Sequence, residues 1–412
     1  MHDTRPAAST MGNREFVVLM AFLQALQALA IDAMLPALGV LSNDFGVSDA
    51  NERQLVIGVF LICSGAASLF PGALADRYGR RPVLLCCLAG YIAMNFAAAL
   101  APTFLILLIC RGLTGVFAAG FMVLTGAIIR DRFEGDSMAR TQSLVSMVFM
   151  VVPMIAPTLG LGVLAIAGWR WIFGMMGLLG AMVGVWAWLR IPETLHPEYR
   201  QPIRLGAIAT NMRTVFLTRS AFGYVVGMAL VQGALFGYIN SSQQLVAEHF
   251  GAGTHFPLIF GGMALCMALA SLTNSRIVER FGTRRVSHTA LIGYVALGAL
   301  QLWFATRPGE TIWQFVPLMT LNLCVMGFIG SNFQAIALQP FARVAGAAAS
   351  VQAFTRMMVG SLLGALIGQA YDGTARPLAM ALLSAGVGAL ILVLFSEHGK
   401  LFRRLHGHVP QA

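Results

Sequence analysis

Apolar runs of about 20 residues, separated by short polar segments, recur from one end of the chain to the other. Each is long enough to cross a hydrocarbon core of about 30 Å at about 1.5 Å rise per residue. The runs are about twice the length of a barrel strand and lack its strict alternation, so the spanning element is a helix. The pattern predicts helices over residues 16–38, 53–74, 83–100, 103–128, 141–167 and 169–190. A second six follow over 220–243, 255–277, 286–305, 311–336, 346–371 and 375–396. The rest is an N-terminal tail (1–15), a polar linker (191–219) and a C-terminal tail (397–412). The expected fold class is an all-α membrane protein, with twelve transmembrane helices in two pseudo-symmetric six-helix bundles, 16–190 and 220–396.

An internal repeat supports the division in two. SLFPGALADRYGRRPV from Ser68 aligns without gaps with SLTNSRIVERFGTRRV from Ser271, pairing Asp76 with Glu279, Arg77 with Arg280, Gly79 with Gly282 and Arg81 with Arg284. The offset of 203 residues is close to half the chain, and both copies follow the second helix of a six-helix set. The linker carries Pro192, Pro197 and Pro202 among mixed charges, as a flexible connection between domains should.

Composition agrees with this reading. Hydrophobic residues make up 58% of the chain and charged residues 11%, whereas a soluble domain carries about 25% charged residues. The net charge of +10 lies in short loops and forms no continuous patch, which argues for topology and against nucleic-acid binding. Of 27 basic residues, 21 fall on one side of the predicted spans and only Arg53, Arg170, Arg307 and Arg376 on the other; Arg111 and Arg356 lie within spans. The positive-inside rule then puts both termini and the linker on the cytoplasmic side. Cleavage of the first run after Ala30 as a signal peptide would leave an odd span count, so that run is read as a span.

All six cysteines fall inside apolar runs with no CxxC spacing, so neither a disulfide framework nor a thiolate metal site is expected. The eight histidines sit in loops, tails or at a span edge (His288 among the last), which argues against a buried imidazole relay; His406 and His408 read as a solvated tail. There is no HExxH pair, GxSxG elbow or Gly-rich phosphate loop with Lys, so the chain is not expected to be an enzyme.

Four segments carry more specific chemistry. In GALADRYGRRP, Gly72 and Gly79 permit close approach and a tight turn, while Asp76, Arg77, Arg80 and Arg81 can bridge helix ends. This segment resembles the inter-helix loop motif of the major facilitator superfamily. The resemblance implies the major facilitator fold, a central cavity opening alternately to either side, and a loop that latches the outward-facing state. Asp76 would then face a helix N-terminus of the other half, and Arg77 or Arg80 would pair with an acid such as Asp131. LLICRGLTGVFAA resembles the fourth-helix motif of the proton-coupled members, with Thr114 where Gln is usual. An arginine at the position of Arg111 costs at least about 2.5 kcal/mol on insertion scales, so it faces a cavity or partner, or snorkels to the headgroups.

PMIAPTLGLG resembles the fifth-helix motif of antiporters, in which residues such as Pro153, Pro157 and Gly160 let the helix bend and pack against its counterpart; Ala156 and Leu161 replace the preferred glycines. An ordinary membrane-helix kink is the alternative. AIDAMLPAL resembles the first-helix motif of the Bcr/CflA drug-resistance branch, and Asp32 is the carboxylate placed well within a span. It has the character needed of a coupling residue, because burial disfavours the charged form of an acid. Gln24 stands where some related multidrug carriers have a second acid. Arg356, about 15 Å deep in the eleventh helix, is expected to line the cavity. Asn240, Asn332, Gln334 and Gln352 are among the polar groups suited either to a solute or to helix packing. Twenty-two Met and 27 Phe suit a pliable pocket.

The resemblance implies proton-coupled efflux of lipophilic or cationic drug-like compounds by a monomer in the lipid bilayer, with the proton as coupling ion and no other cofactor or metal. A proton-coupled metabolite exporter or importer of the same fold is the alternative.

Overall fold

The computed structural model describes residues 11–47, 49, 51–200 and 205–402. Helices account for most of the described backbone, and among the described residues there is no strand. In chain order they are α1 (Asn13–Asp32), α2 (Leu38–Asp44), α3 (Leu55–Ala67), α4 (Phe70–Tyr78), α5 (Arg80–Ala99), α6 (Phe104–Arg132), α7 (Gly135–Ala167) and α8 (Arg170–Arg190). There follow α9 (Leu205–Leu217), α10 (Arg219–Gln243), α11 (Phe256–Phe281), α12 (Thr283–Ala305), α13 (Ile312–Leu338), α14 (Ala345–Gln369) and α15 (Arg376–Ser396). Eleven stretches among the described residues are long and apolar enough to cross a membrane. The bent pair α3 and α4, 47° apart at their break, makes a twelfth when taken as one span.

Large apolar side chains face outward, with Leu100 80% and Ile166 89% exposed, while Arg111, Asn95 and Ser361 are wholly buried. Water would penalise this distribution and lipid rewards it, because hydrocarbon solvates apolar surface and leaves polar groups to find partners inside the bundle.

The chain divides into two compact units between Arg204 and Leu205. In the first, α1 packs on α6, α7 and α8, α3 on α6, and α5 on both α6 and α8. The second repeats every one of those pairings: α10 packs on α13, α14 and α15, α11 on α13, and α12 on both α13 and α15. The repeat found in one loop therefore extends to the helix neighbours of each half. Small residues allow the close crossings. A Cβ on Gly115 of α6 would lie 2.2 Å from the Phe60 carbonyl oxygen of α3.

Two features depart from the expected spans. The first span is broken rather than continuous, with a 3-10 turn at Leu35–Ala37 between α1 and α2. Within the stretch expected to be a flexible linker, Leu205–Leu217 is helical, packs on α10 and α14, and buries Val215. Its apolar residues Leu205, Ile208, Met212 and Val215 recur at helical spacing, a signal masked by the neighbouring prolines and charges.

Candidate substrate and proton site

The break after α1 follows from Pro36. Proline has no backbone N–H and therefore cannot bond the carbonyl four residues back, which is that of Asp32. Ala37 N–H instead bonds the Met34 carbonyl at 3.0 Å, tightening the chain into a 3-10 turn. Arg111 on α6 supports the broken end from inside the unit. Its Nη2 donates to the Ala30 carbonyl at 2.8 Å and its Nε to the Val56 carbonyl at 3.0 Å. The guanidinium lies over the Phe60 ring at 4.6 Å and near that of Phe173 at 5.8 Å. With the side chain at zero exposure, snorkelling is excluded; Arg111 is held by two backbone carbonyls, that of Ala30 at the negative end of α1 and that of Val56 in the first turn of α3.

Asp32 itself is 4% exposed and makes no hydrogen bond or ion pair among the described residues. The Nη1 of Arg111 is also buried without a partner among the described residues, and the guanidinium is not bonded to the Asp32 carboxyl. Gly160 completes the setting, since a Cβ there would lie 2.0 Å from the Ala33 carbonyl oxygen. The glycine of the fifth-helix segment thus lets α7 close onto the break in its own unit. Pro153 and Pro157 lie inside α7, which runs on through both. Gln24 is 4% exposed on α1.

The loop segment forms a second cluster. Arg80, 6% exposed, bonds Asp131 Oδ2 through Nε at 3.0 Å and Asp76 Oδ1 through Nη1. Of the two arginines considered for Asp131, Arg80 is the one that meets it; Arg77 is exposed and lies over the Tyr78 ring at 5.1 Å. Gly79, at φ 105°, turns the chain between α4 and α5. Behind it, Glu193 accepts the Arg80 N–H at 2.9 Å and the Arg81 N–H at 3.3 Å, closing the first turn of α5 with negative charge. Arg81 Nη2 donates to the Trp188 carbonyl at 2.7 Å. Gly72 on α4 faces Val123 of α6, 3.4 Å from where its Cβ would be.

In the second unit, a small cavity of about 30 Å³ is lined from α10 by Tyr224 and Met228, from α13 by Phe333 and Gln334, and from α14 by Gln352 and Arg356. Arg356 has no hydrogen bond or ion pair among the described residues. Asn332 lies apart from this cavity, with its amide committed to packing: Nδ2 donates to Asn274 Oδ1 at 2.9 Å and to the Phe328 carbonyl at 2.8 Å. Asn240 is 1% exposed, and both its side-chain polar atoms lack a partner.

A sequence profile of the Major Facilitator Superfamily matches residues 20–365. The chain belongs to this superfamily. Among curated proteins it is 27% identical over 391 residues to a bicyclomycin resistance protein homolog of Haemophilus influenzae, covering 92% of this chain and 94% of that one. It is 28% identical over 363 residues to the multidrug resistance protein MdtL of Klebsiella pneumoniae, covering 86% and 89%. Among solved structures, a D-xylose-proton symporter superposes with a TM-score of 0.71 at 14% identity, over 92% of this chain and 95% of that one, a likeness of fold alone. The protein is a multi-span membrane transporter and not an enzyme.

Sequence reasoning about this superfamily member missed one cluster and misplaced a residue in it. His288, read as a span-edge residue outside any relay, is wholly buried. Its Nδ1 accepts the Phe402 N–H at 3.0 Å, which leaves the ring proton on Nε2 to donate to the Tyr224 hydroxyl at 2.8 Å. Tyr224 then donates to Glu397 Oε1 at 2.7 Å, and Arg284 Nε meets the same oxygen at 2.7 Å. Position along a helix says how deep a residue sits but not which side it faces. The chain after α15 folds back over His288, a contact across 114 residues that local pattern cannot supply.

Proposed function

We propose that this transporter exports small drug-like compounds across a bacterial inner membrane in exchange for protons, working as a monomer by alternating access with both termini in the cytoplasm. The observation that carries the reading is Asp32, a 4% exposed carboxyl without a partner among the described residues, at a break in a membrane helix. An unpaired charge buried there is costly, so the group exchanges a proton for other compensation during the cycle. Protonation from the outside, driven by the membrane potential and the pH gradient, displaces the substrate and promotes the return step. Substrate and proton each favour a different conformation, since a ligand that binds two states equally shifts neither.

Arg111 acts as a positioning residue. It anchors Ala30, two residues before Asp32, while leaving the carboxyl unbonded. The cluster of Asp76, Arg80 and Asp131 serves as a latch that opens and closes with the cycle. Gly79 and the Glu193 cap give it a rigid base, and Gly72 lets α4 approach α6. The resistance named in two relatives supports export of drugs over import of a nutrient.

The test is accumulation of a fluorescent drug in cells expressing the wild type or Asp32→Asn. The wild type should hold accumulation low until a protonophore is added. Asp32→Asn should abolish coupled efflux at unchanged protein level in the membrane. Full resistance in that variant removes Asp32 from coupling, and a wild type whose accumulation falls on adding protonophore is an importer.

A further inference from the structure

The cavity of the second unit carries one cation and two side-chain amides in its lining. Arg356 presents a guanidinium that no acid neutralises among the described residues, and no Asp or Glu is among the residues that line the space. Gln352, 8% exposed, leaves its Nε2 buried without a partner in the same lining, and Gln334 adds a second amide. The remaining wall is apolar, from Phe333, Met228 and Val225. A guanidinium stays charged at any physiological pH, and its planar fork matches two oxygens at once. At membrane depth such a group needs an acceptor from water or from a ligand. At about 30 Å³ the cavity has room for a terminal polar group and not for a whole drug-sized molecule.

We infer that this cavity is a substrate subsite for the oxygen-rich end of a lipophilic compound, a carboxylate or a polarised nitro or amide group, and that it rejects organic ammonium groups. The inference rests on the efflux reading above and narrows its substrates from lipophilic or cationic compounds to lipophilic oxygen acceptors. The guanidinium rewards an anionic or strongly polarised oxygen, while an ammonium ion would meet a like charge with no carboxylate in the lining to offset it.

The full-length protein, purified in detergent, is titrated with three probes that share one nitrophenyl-propanediol scaffold: chloramphenicol hemisuccinate (anion), chloramphenicol (neutral) and its deacylated amine (cation). The expected order of affinity is anion first and amine last. Arg356→Gln should weaken the anion about tenfold or more and improve the amine, flattening the order. Arg356→Lys should fall between, because it keeps the charge and loses the fork. Gln352→Leu, a second variant that retains Arg356, should weaken the anion and the neutral probe together. An amine that binds best to the wild type, or an order unchanged in Arg356→Gln of normal thermal stability, overturns the inference. Export is scored separately in loaded vesicles. If none of the three probes is moved while binding still follows residue 356, the efflux reading fails and the subsite stands.

Discussion

In the first unit Gly79 turns the chain at φ 105°, and the helix behind it is closed by Glu193, which accepts the N–H groups of Arg80 and Arg81. In the second, Gly282 turns at φ 85°, but Glu397 is taken by the side chains of Arg284 and Tyr224. The two acids stand 204 residues apart, each just after the last helix of its half. One backbone plan thus ends in two chemistries. In the first, a carboxylate serves as a helix cap and needs room at the turn. In the second, it serves as an ion-pair partner, and the corner gains a histidine tied to the segment after α15. A duplicated backbone constrains where a turn goes, while the long-range partner decides what the turn is bonded to.

The sharpest test of this contrast is the pair of glycines. Both lie in a backbone region that side chains rarely adopt, and alanine costs of order 1–3 kcal/mol there. At Gly79 a methyl would also lie 2.3 Å from Glu193 Oε2 and push the carboxylate off the helix end. Gly79→Ala should therefore exceed Gly282→Ala by the value of a cap, about 1–2 kcal/mol, in denaturant melts of the purified protein. Equal losses would mean that Glu193 is no cap.

The acids come next. Arg284 and Glu397 are each only 12% exposed at the side chain, so Glu397→Gln leaves a mostly buried guanidinium short of its anion and should cost about 2 kcal/mol. Glu193→Gln keeps an acceptor at the helix end and should cost within about 1 kcal/mol. The two also separate by pH. Burial pushes the Glu397 carboxyl up, but hydrogen bonds from Tyr224 and Arg284 outweigh it and hold the group below its ordinary value. A depressed acid contributes stability above its unfolded pKa and loses it as pH falls through the folded one. Melting profiles taken downward through the carboxylate range should show this loss in the wild type and lack it in Glu397→Gln. A profile identical in both would remove Glu397 from the acid response.

The smallest expected effect belongs to Tyr224→Phe, which keeps the ring on Phe333 and removes the hydroxyl that joins His288 to Glu397. A loss of about 1 kcal/mol is expected, with the corresponding position of the first unit, Ala21, having no such hydroxyl to lose. No change in the melt would show that the three groups do not act as one chain.

Asp32 and Arg111 were visible beforehand because an ionisable residue in an apolar run has few reasons to be there. Arg356 was visible for the same reason. The partners were not: Arg111 bonds carbonyls 55 and 81 residues away, and Asp32 bonds nothing among the described residues, which no sequence pattern distinguishes from pairing. Asn332 and Asn240 looked alike in the sequence, yet one is committed to Asn274 and the other is unsatisfied.

By itself, the sequence determined the order of the membrane spans and the twofold repeat, because a bilayer imposes a local requirement of about 20 apolar residues per span and exposes every violation. Only the tertiary structure decided which side of each helix faces its neighbours, which carboxylates are caps, which are pairs and which are left alone. Those outcomes depend on hydrogen bonds between residues far apart in the chain, and their energy is set by the burial that the packed bundle creates.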